Sequence, residues 1–84
     1  MERQKIFFDS PVAIRTVQEH TVRRVKSVNG ASEVLTDWPH ARRGPVYQDT
    51  VAVIEAALSG GESAANARSA FAAFAEHAGV LVND

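Results

Sequence analysis

The chain has 84 residues, no cysteine, 45% hydrophobic and 23% charged residues, and a net charge of −1. This length fits one domain over residues 1–84, and this composition excludes an intrinsically disordered chain. The lack of cysteine excludes disulfides, thiolate metal ligands and a cysteine nucleophile. No apolar run reaches the length of a membrane span, and the apolar stretch after Lys5 is too short for a signal peptide, so we expect a cytoplasmic protein.

The charges are distributed unevenly along the chain. Residues 1–44 contain eight Lys or Arg and five Asp or Glu, a net charge of +3, whereas residues 45–84 contain one Arg and five Asp or Glu, a net charge of −4. Such a division can attract an anionic partner to one side or pair two copies of the chain, and it also occurs on ordinary solvated surfaces.

The first half of the chain predicts a β-hairpin. Residues Val12–Val17 are rich in β-branched side chains and alternate as in a strand, Gln18–His20 form a polar turn, and Thr21–Lys26 form the return strand. Each face of the return strand has one apolar residue, which predicts a bulge or a strand with two half-exposed faces. The faces are Thr21, Arg23 and Val25 on one side and Val22, Arg24 and Lys26 on the other.

The edges of this hairpin raise the question of what covers them. The first strand carries only Arg15 as protection, and an unprotected edge invites pairing with another strand. Two segments of the chain are candidates for a third short strand there, residues 6–8 and residues 80–82, and the alternative is a second copy of the molecule. We favour coverage within the chain, and hence a monomer over a homodimer, because it needs no association step.

Three helices are predicted after the hairpin. Ser27 is a favourable N-cap for the first helix, and Pro39 ends it. The second begins with Pro45 as its first residue and ends at Ser59-Gly60-Gly61, while Ser63 caps the third, which ends at Gly79. Apolar residues recur every three or four positions in each helix. The three stripes are Ala31, Val34, Leu35 and Trp38; Tyr47, Val51, Ile54 and Leu58; and Ala64, Ala67, Phe71, Phe74 and Ala78.

These elements predict an α+β fold in which an N-terminal β-hairpin, with or without a third short strand, packs on three α-helices in the order β-β-α-α-α. A two-stranded hairpin is marginally stable alone, so it must pack on the helices or join another sheet.

Short segments along nearly the whole chain, residues 8–81, resemble the bacterial family known as domain of unknown function 982. The resemblance implies a small protein of plant- and soil-associated alphaproteobacteria, often present in several copies per genome, with no assigned activity. One departure is Asn29-Gly30, where an acidic pair is expected, and it removes a capping-box carboxylate from the first helix. The matching segments are Pro11-Val12, Val25-Lys26-Ser27-Val28, Trp38-Pro39, Arg43-Gly44-Pro45-Val46-Tyr47 and Ala67-Arg68-Ser69-Ala70-Phe71.

Two groups of residues are candidates for a binding site. The basic side chains of the return strand and of the loop between the first two helices suggest an anion-binding patch, since the loop precedes a helix N-terminus. The alternatives are solvated arginines, or an arginine that pairs with Asp37 or Asp49. The loop aromatics either wall a pocket or belong to the core. The candidates are Arg23, Arg24, Lys26, Trp38, His40, Arg42, Arg43 and Tyr47.

We expect no catalytic residue, no cofactor and no metal site. None of the three histidines has a ligand partner at metal-binding spacing, and no nucleophile stands with a base. The leading interpretation is a non-catalytic binding or regulatory module that acts through protein–protein contact. The first alternative is a nucleic-acid-associated protein that uses the basic hairpin face, which the low pI of about 6.3 disfavours. An enzyme at the Trp38–Tyr47 loop is the least favoured.

Overall fold

The computed structural model describes residues 5–16, 21–39, 41 and 43–82. Two antiparallel strands, β1 (Phe7–Arg15) and β2 (Val22–Ser27), precede three helices. The helices are α1 (Val28–Thr36), α2 (Tyr47–Leu58) and α3 (Ala64–His77). The α+β fold and the order β-β-α-α-α are therefore confirmed. The predicted turn at 18–20 and residue Val17 lie outside the described part of the chain.

Strand β1 is longer than predicted because it includes the apolar segment that was a candidate for a separate strand. Val12 pairs with Val25, but Phe7 pairs with Ser27, so five steps along β1 match two steps along β2. The excess residues form a bulge at positions 8–11, and this bulge lets the chain pass Pro11 and resume pairing. Phe7 and Phe8 are thus the first residues of β1, and Ile6 precedes the strand. Strand β2 is shifted by one residue from its predicted bounds.

The other edge of β1 is covered by the C-terminal segment. The backbone N–H of Arg15 donates to the Val80 carbonyl at 2.8 Å, and the N–H of Val82 donates to the Ala13 carbonyl at 2.9 Å. Ile14 and Leu81 form an antiparallel bridge between these two bonds. The predicted coverage within the chain is confirmed, and of the two candidate segments it is residues 80–82 that provide it.

The caps and ends of the helices follow the sequence signals closely. The Ser27 hydroxyl accepts from the Gly30 N–H at 3.0 Å, and the Ser63 hydroxyl accepts from the Asn66 N–H at 3.1 Å. Gly60 and Gly79 follow α2 and α3 with φ values of 87° and 77°, the left-handed conformation that glycine adopts without strain.

The predicted start of α2 at Pro45 is wrong. The Tyr47 N–H bonds to the Gly44 carbonyl across a tight turn, and the first bond of helical spacing runs from the Thr50 N–H to the Val46 carbonyl. Pro45 therefore belongs to the turn before the helix, and α2 begins at Tyr47.

One core lies between the sheet and the helices. The stripes of α1 and α3 are buried largely as predicted, with Ala75 as an addition in α3 and Ala64 and Ala78 only half-buried. In α2 the buried face is centred on Thr50, Ile54 and Ala57, whereas three residues of the predicted stripe are half-buried at its margins. Those marginal residues are Tyr47, Val51 and Leu58, and all three still pack against the core.

Candidate functional site

The aromatic residues of the loop between α1 and α2 pack into the core around Phe74 of α3. The Trp38 ring lies edge-on to Phe74 with 5.0 Å between ring centroids, and the Tyr47 ring does the same at 5.8 Å. Trp38 is 6% exposed. Edge-to-face contacts at this separation are favourable beyond the burial of area. The sequence left open whether these aromatics wall a pocket or belong to the core, and in the structure they belong to the core.

Arg43 and the Tyr47 hydroxyl make contacts within the loop and with α1. Arg43 Nε donates to the Trp38 carbonyl at 3.3 Å, and the guanidinium carbon lies 4.5 Å from the centroid of the Tyr47 ring, within cation–π range. The Tyr47 hydroxyl donates to the Leu35 carbonyl near the end of α1. Arg43 therefore contacts a main-chain carbonyl of the loop and the ring face of the first residue of α2, and the Tyr47 hydroxyl joins α2 to α1. The sequence had suggested Asp37 or Asp49 as the partner of an arginine.

A small depression lies between α1 and α2, next to the Tyr47 ring. Its volume is about 40 Å³. Pockets for small-molecule ligands usually measure roughly 300–1,000 Å³. This depression is therefore too small for a substrate. Its walls are formed by Ser32, Leu35, Thr36, Tyr47, Val51, Ile54 and Glu55.

Two of the candidate residues, His40 and Arg42, lie outside the described residues. Within the described part of the chain, no three His, Asp or Glu side chains come together as metal ligands would. The one ionisable group there whose pKa clearly departs from its ordinary value is Glu62, where a hydrogen bond from the Asn66 side chain and one from the Ser63 N–H lower the pKa. That carboxylate caps the exposed start of α3 and has a structural role.

The basic residues of β2 divide between the two faces of the sheet. The register pairs Ile14 with Arg23 and Val12 with Val25, and three of these four side chains are buried in the core, so this face is turned toward the helices. Adjacent residues on a strand point to opposite faces. Arg24 and Lys26 therefore lie on the outer face, and Arg23 lies on the helix-facing side, where it is exposed. The predicted patch of three cations is split.

Arg15 joins the outer face in place of Arg23. It pairs with Val22, and directly opposed residues of an antiparallel pair have their side chains on the same side, with Cβ atoms roughly 4.5–5.5 Å apart. We use the term outer face for Ala13, Arg15, Val22, Arg24 and Lys26. Four of the five are exposed, and Ala13 is buried.

Two large apolar side chains are exposed among the described residues, and both lie on the hairpin. Phe7 is 63% exposed on β1 and Val22 is 48% exposed on β2. The sequence analysis did not single out either of them as a site residue. The alternation in β2 placed Val22 on the face of Arg24 and Lys26. For Phe7, which belongs to a short apolar segment, no feature of the sequence indicated that its side chain would be exposed.

Arg68 is another residue that sequence reasoning did not single out as a site residue. From α3 its Nε donates to the Ser10 carbonyl at 2.8 Å, and one terminal nitrogen lies 3.3 Å from the Pro11 carbonyl. The guanidinium thereby joins α3 to the β1 bulge. The only hint in the sequence is that Arg68 stands inside one of the segments of the family resemblance, and its partners are 57 and 58 residues away.

The comparisons with known proteins give one match. The model of a family described as "Protein of unknown function (DUF982)" matches residues 10–82, which is nearly the whole chain. No curated protein and no solved structure matches it. No helix within the described residues is both long enough and apolar enough to cross a membrane.

Proposed function

The chain belongs to the DUF982 family, and we propose that it is a small non-catalytic binding or regulatory module that acts through protein–protein contact at its hairpin. The observation that carries this proposal is the position of Phe7 and Val22. Both are exposed on the two-stranded sheet, Phe7 at the end where it pairs with Ser27 and Val22 at the end where it pairs with Arg15. Singly exposed apolar residues are common on protein surfaces, but Val22 lies beside Arg15 and Arg24, and arginine is enriched among the residues that dominate interfaces.

The loop from Trp38 to Tyr47 supports the choice of a binding module over an enzyme. Its described side chains Trp38, Arg43 and Tyr47 are engaged with the core, with one another or with main-chain carbonyls, and the depression beside Tyr47 is far smaller than a ligand pocket. A reaction at this loop would have to disrupt contacts that hold α1 against α2. We therefore place an enzyme last among the functions considered.

A nucleic-acid-associated role is the second candidate, because three cations share the outer face. It ranks lower because Arg23 lies on the other side of the sheet, so the hairpin has no single continuous stripe of all its basic residues. The helical half of the chain is acidic, with a net charge of −4 over residues 45–84, and that charge repels a polyanion.

We place the module in the bacterial cytoplasm and regard it as a monomer. The cysteine-free composition fits a reducing compartment. The backbone bonds between β1 and residues 80–82 occupy the β1 edge, and the exposed cations of β2 disfavour pairing at the other edge. Sedimentation velocity over a wide concentration range tests the monomer. An increase of the sedimentation coefficient with concentration would contradict it.

The contact surface is tested by site-specific photo-crosslinking in a bacterium that encodes the protein. Val22 is replaced by p-benzoylphenylalanine, and the matched control has the same replacement at Gln48, an exposed residue of α2 on the helical side. We expect a discrete crosslinked protein from Val22 that is absent from Gln48 and is lost when Phe7→Ser is added. No crosslink from Val22, or equal crosslinks from both positions, would overturn the proposal.

A further inference from the structure

The outer face of the hairpin has a charge pattern that identifies the chemistry of its partner. From Ala13 to Arg15 on β1 and from Val22 to Lys26 on β2, the outer face consists of three cations, one exposed valine and one buried alanine. The one carboxylate of the two strands, Asp9, is exposed in the bulge at positions 8–11. From this pattern we propose that the outer face binds an acidic segment of another protein in extended conformation. The proposal rests on the proposed function above and names the partner class for the same hairpin.

The spacing of the side chains favours an extended segment. Val22, Arg24 and Lys26 are successive residues of one face of β2, so neighbours along this row are about 7 Å apart. Alternate side chains of an extended peptide have the same spacing of about 7 Å. An extended segment with an apolar residue against Val22 and an acidic residue four positions further on, against Lys26, therefore matches this row. Arg15 lies opposite Val22 and can contact a further carboxylate.

A second copy of the chain fits this face poorly. Two copies that met through their outer faces about a two-fold axis would bring two sets of three cations together, which is repulsive. Among the described residues, exposed carboxylates such as Asp49 and Glu55 lie on the helices. A contact between the outer face of one copy and the helices of the next is head-to-tail and forms an open chain unless it closes into a ring.

The test measures peptide binding by fluorescence anisotropy at low and at physiological salt. The probe is a labelled peptide in which Val-Thr-Glu-Thr-Glu is repeated twice, and the control peptide has Gln for every Glu. We expect the acidic peptide to bind about tenfold or more tightly than the Gln peptide at low salt and to weaken as salt rises. Equal binding of the two peptides would overturn the inference.

The double variant Arg15→Glu with Lys26→Glu should reduce the affinity for the acidic peptide about tenfold or more, because two attractive charges become repulsive. Arg23→Glu is the matched control, since it makes the same change on the same strand but on the helix-facing side. An equal loss with Arg23→Glu would refute the outer face as the site. The salt titration of the unmodified protein decides the matter if the double variant fails to fold.

Two further measurements separate the competing occupants. If a duplex DNA of random sequence binds more tightly than the acidic peptide, the surface is a nucleic-acid interface and the inference is wrong. Salt-sensitive self-association would assign the face to a second copy instead. If the protein crosslinked at position 22 is lost with Phe7→Ser but retained with Arg15→Glu and Lys26→Glu, the proposed function stands while this inference fails.

Discussion

Replacement of Phe71 by alanine is the most direct test of the core. Phe71 is 1% exposed and lies on α3 between the helices and the sheet. Truncation of a buried phenylalanine to alanine costs about 3–5 kcal/mol, because the apolar contacts are lost and a cavity remains. A chain of 84 residues at ~0.05–0.15 kcal/mol per residue has a free energy of unfolding of about 4–13 kcal/mol. The substitution thus removes a large fraction of the stability.

Urea unfolding followed by tryptophan fluorescence measures this cost. Trp38 is the single tryptophan, it is buried beside Phe74, and its emission should shift to the red as unfolding brings it into water. The chain has its own matched control, because Phe7 undergoes the same substitution at 63% exposure. Phe7→Ala should change the free energy of unfolding by no more than about 0.5 kcal/mol.

Similar unfolding midpoints for Phe71→Ala and Phe7→Ala would refute the assignment of the core. If Phe71→Ala is unfolded without denaturant, Phe71→Leu provides the comparison, since it removes less volume and should lie between the unmodified protein and the alanine variant. The slope of the unfolding curve should stay the same in all folded variants, because the surface exposed on unfolding hardly changes.

Three further results are expected. Arg68→Met, which keeps the aliphatic stem but loses the bonds to the β1 bulge, should lower the free energy of unfolding by about 1 kcal/mol and speed amide exchange in β1, measured by hydrogen exchange. Ser27→Ala should cost ~1 kcal/mol in urea unfolding because α1 loses its cap. Hydrogen bonds lower the pKa of Glu62 below its ordinary 4.5, so its stabilising effect is complete above that pH and is lost as the pH falls through the lowered value. Glu62→Gln should therefore make the unfolding midpoint less dependent on pH in that acidic range, and an unchanged dependence would exclude this role.

Apart from the start of α2, the helices and their ends could be predicted from the sequence because their determinants are local. A serine hydroxyl reaches an N–H three residues away, and Gly60 and Gly79 take the left-handed conformation whatever packs nearby. The apolar residues of α3 around Phe71 and Phe74 recur with the period of a helix. In a small domain such a stripe is expected to pack against the core, as it does here.

The start of the hairpin could not be predicted because its determinants are distant. Pro11 indicates where a strand opens, whereas β1 begins at Phe7 and passes the proline through a bulge that Arg68 contacts from α3. Asn29 was expected to weaken the first turn of α1. Its side chain instead accepts the N–H of Ile6 at 3.0 Å, so that departure from the family pattern helps to anchor the chain before β1.

The candidate site was predicted only as far as side-chain alternation allows. The alternation predicts that Arg23 lies on one face of β2 and that Arg24 and Lys26 lie on the other, and the register agrees. The membership of Arg15 requires the register of the hairpin, because a shift of one residue would move it to the helix-facing side. Whether Trp38 and Tyr47 wall a pocket or fill the core depends on where Phe74 lies, and that is set by tertiary packing.

The tethers of β1 have a consequence for binding. A two-stranded hairpin alone is marginally stable, but here β1 is held by Arg68 from α3, by Asn29 from α1 and by the backbone of residues 80–82. Each tether comes from a different part of the chain, so the outer face has a fixed shape before any partner arrives. A partner that docks there does not have to order the backbone of the hairpin, so the entropy lost on binding comes mainly from the exposed side chains. The fold thus fixes the backbone positions of its cations on a surface that the helices leave uncovered.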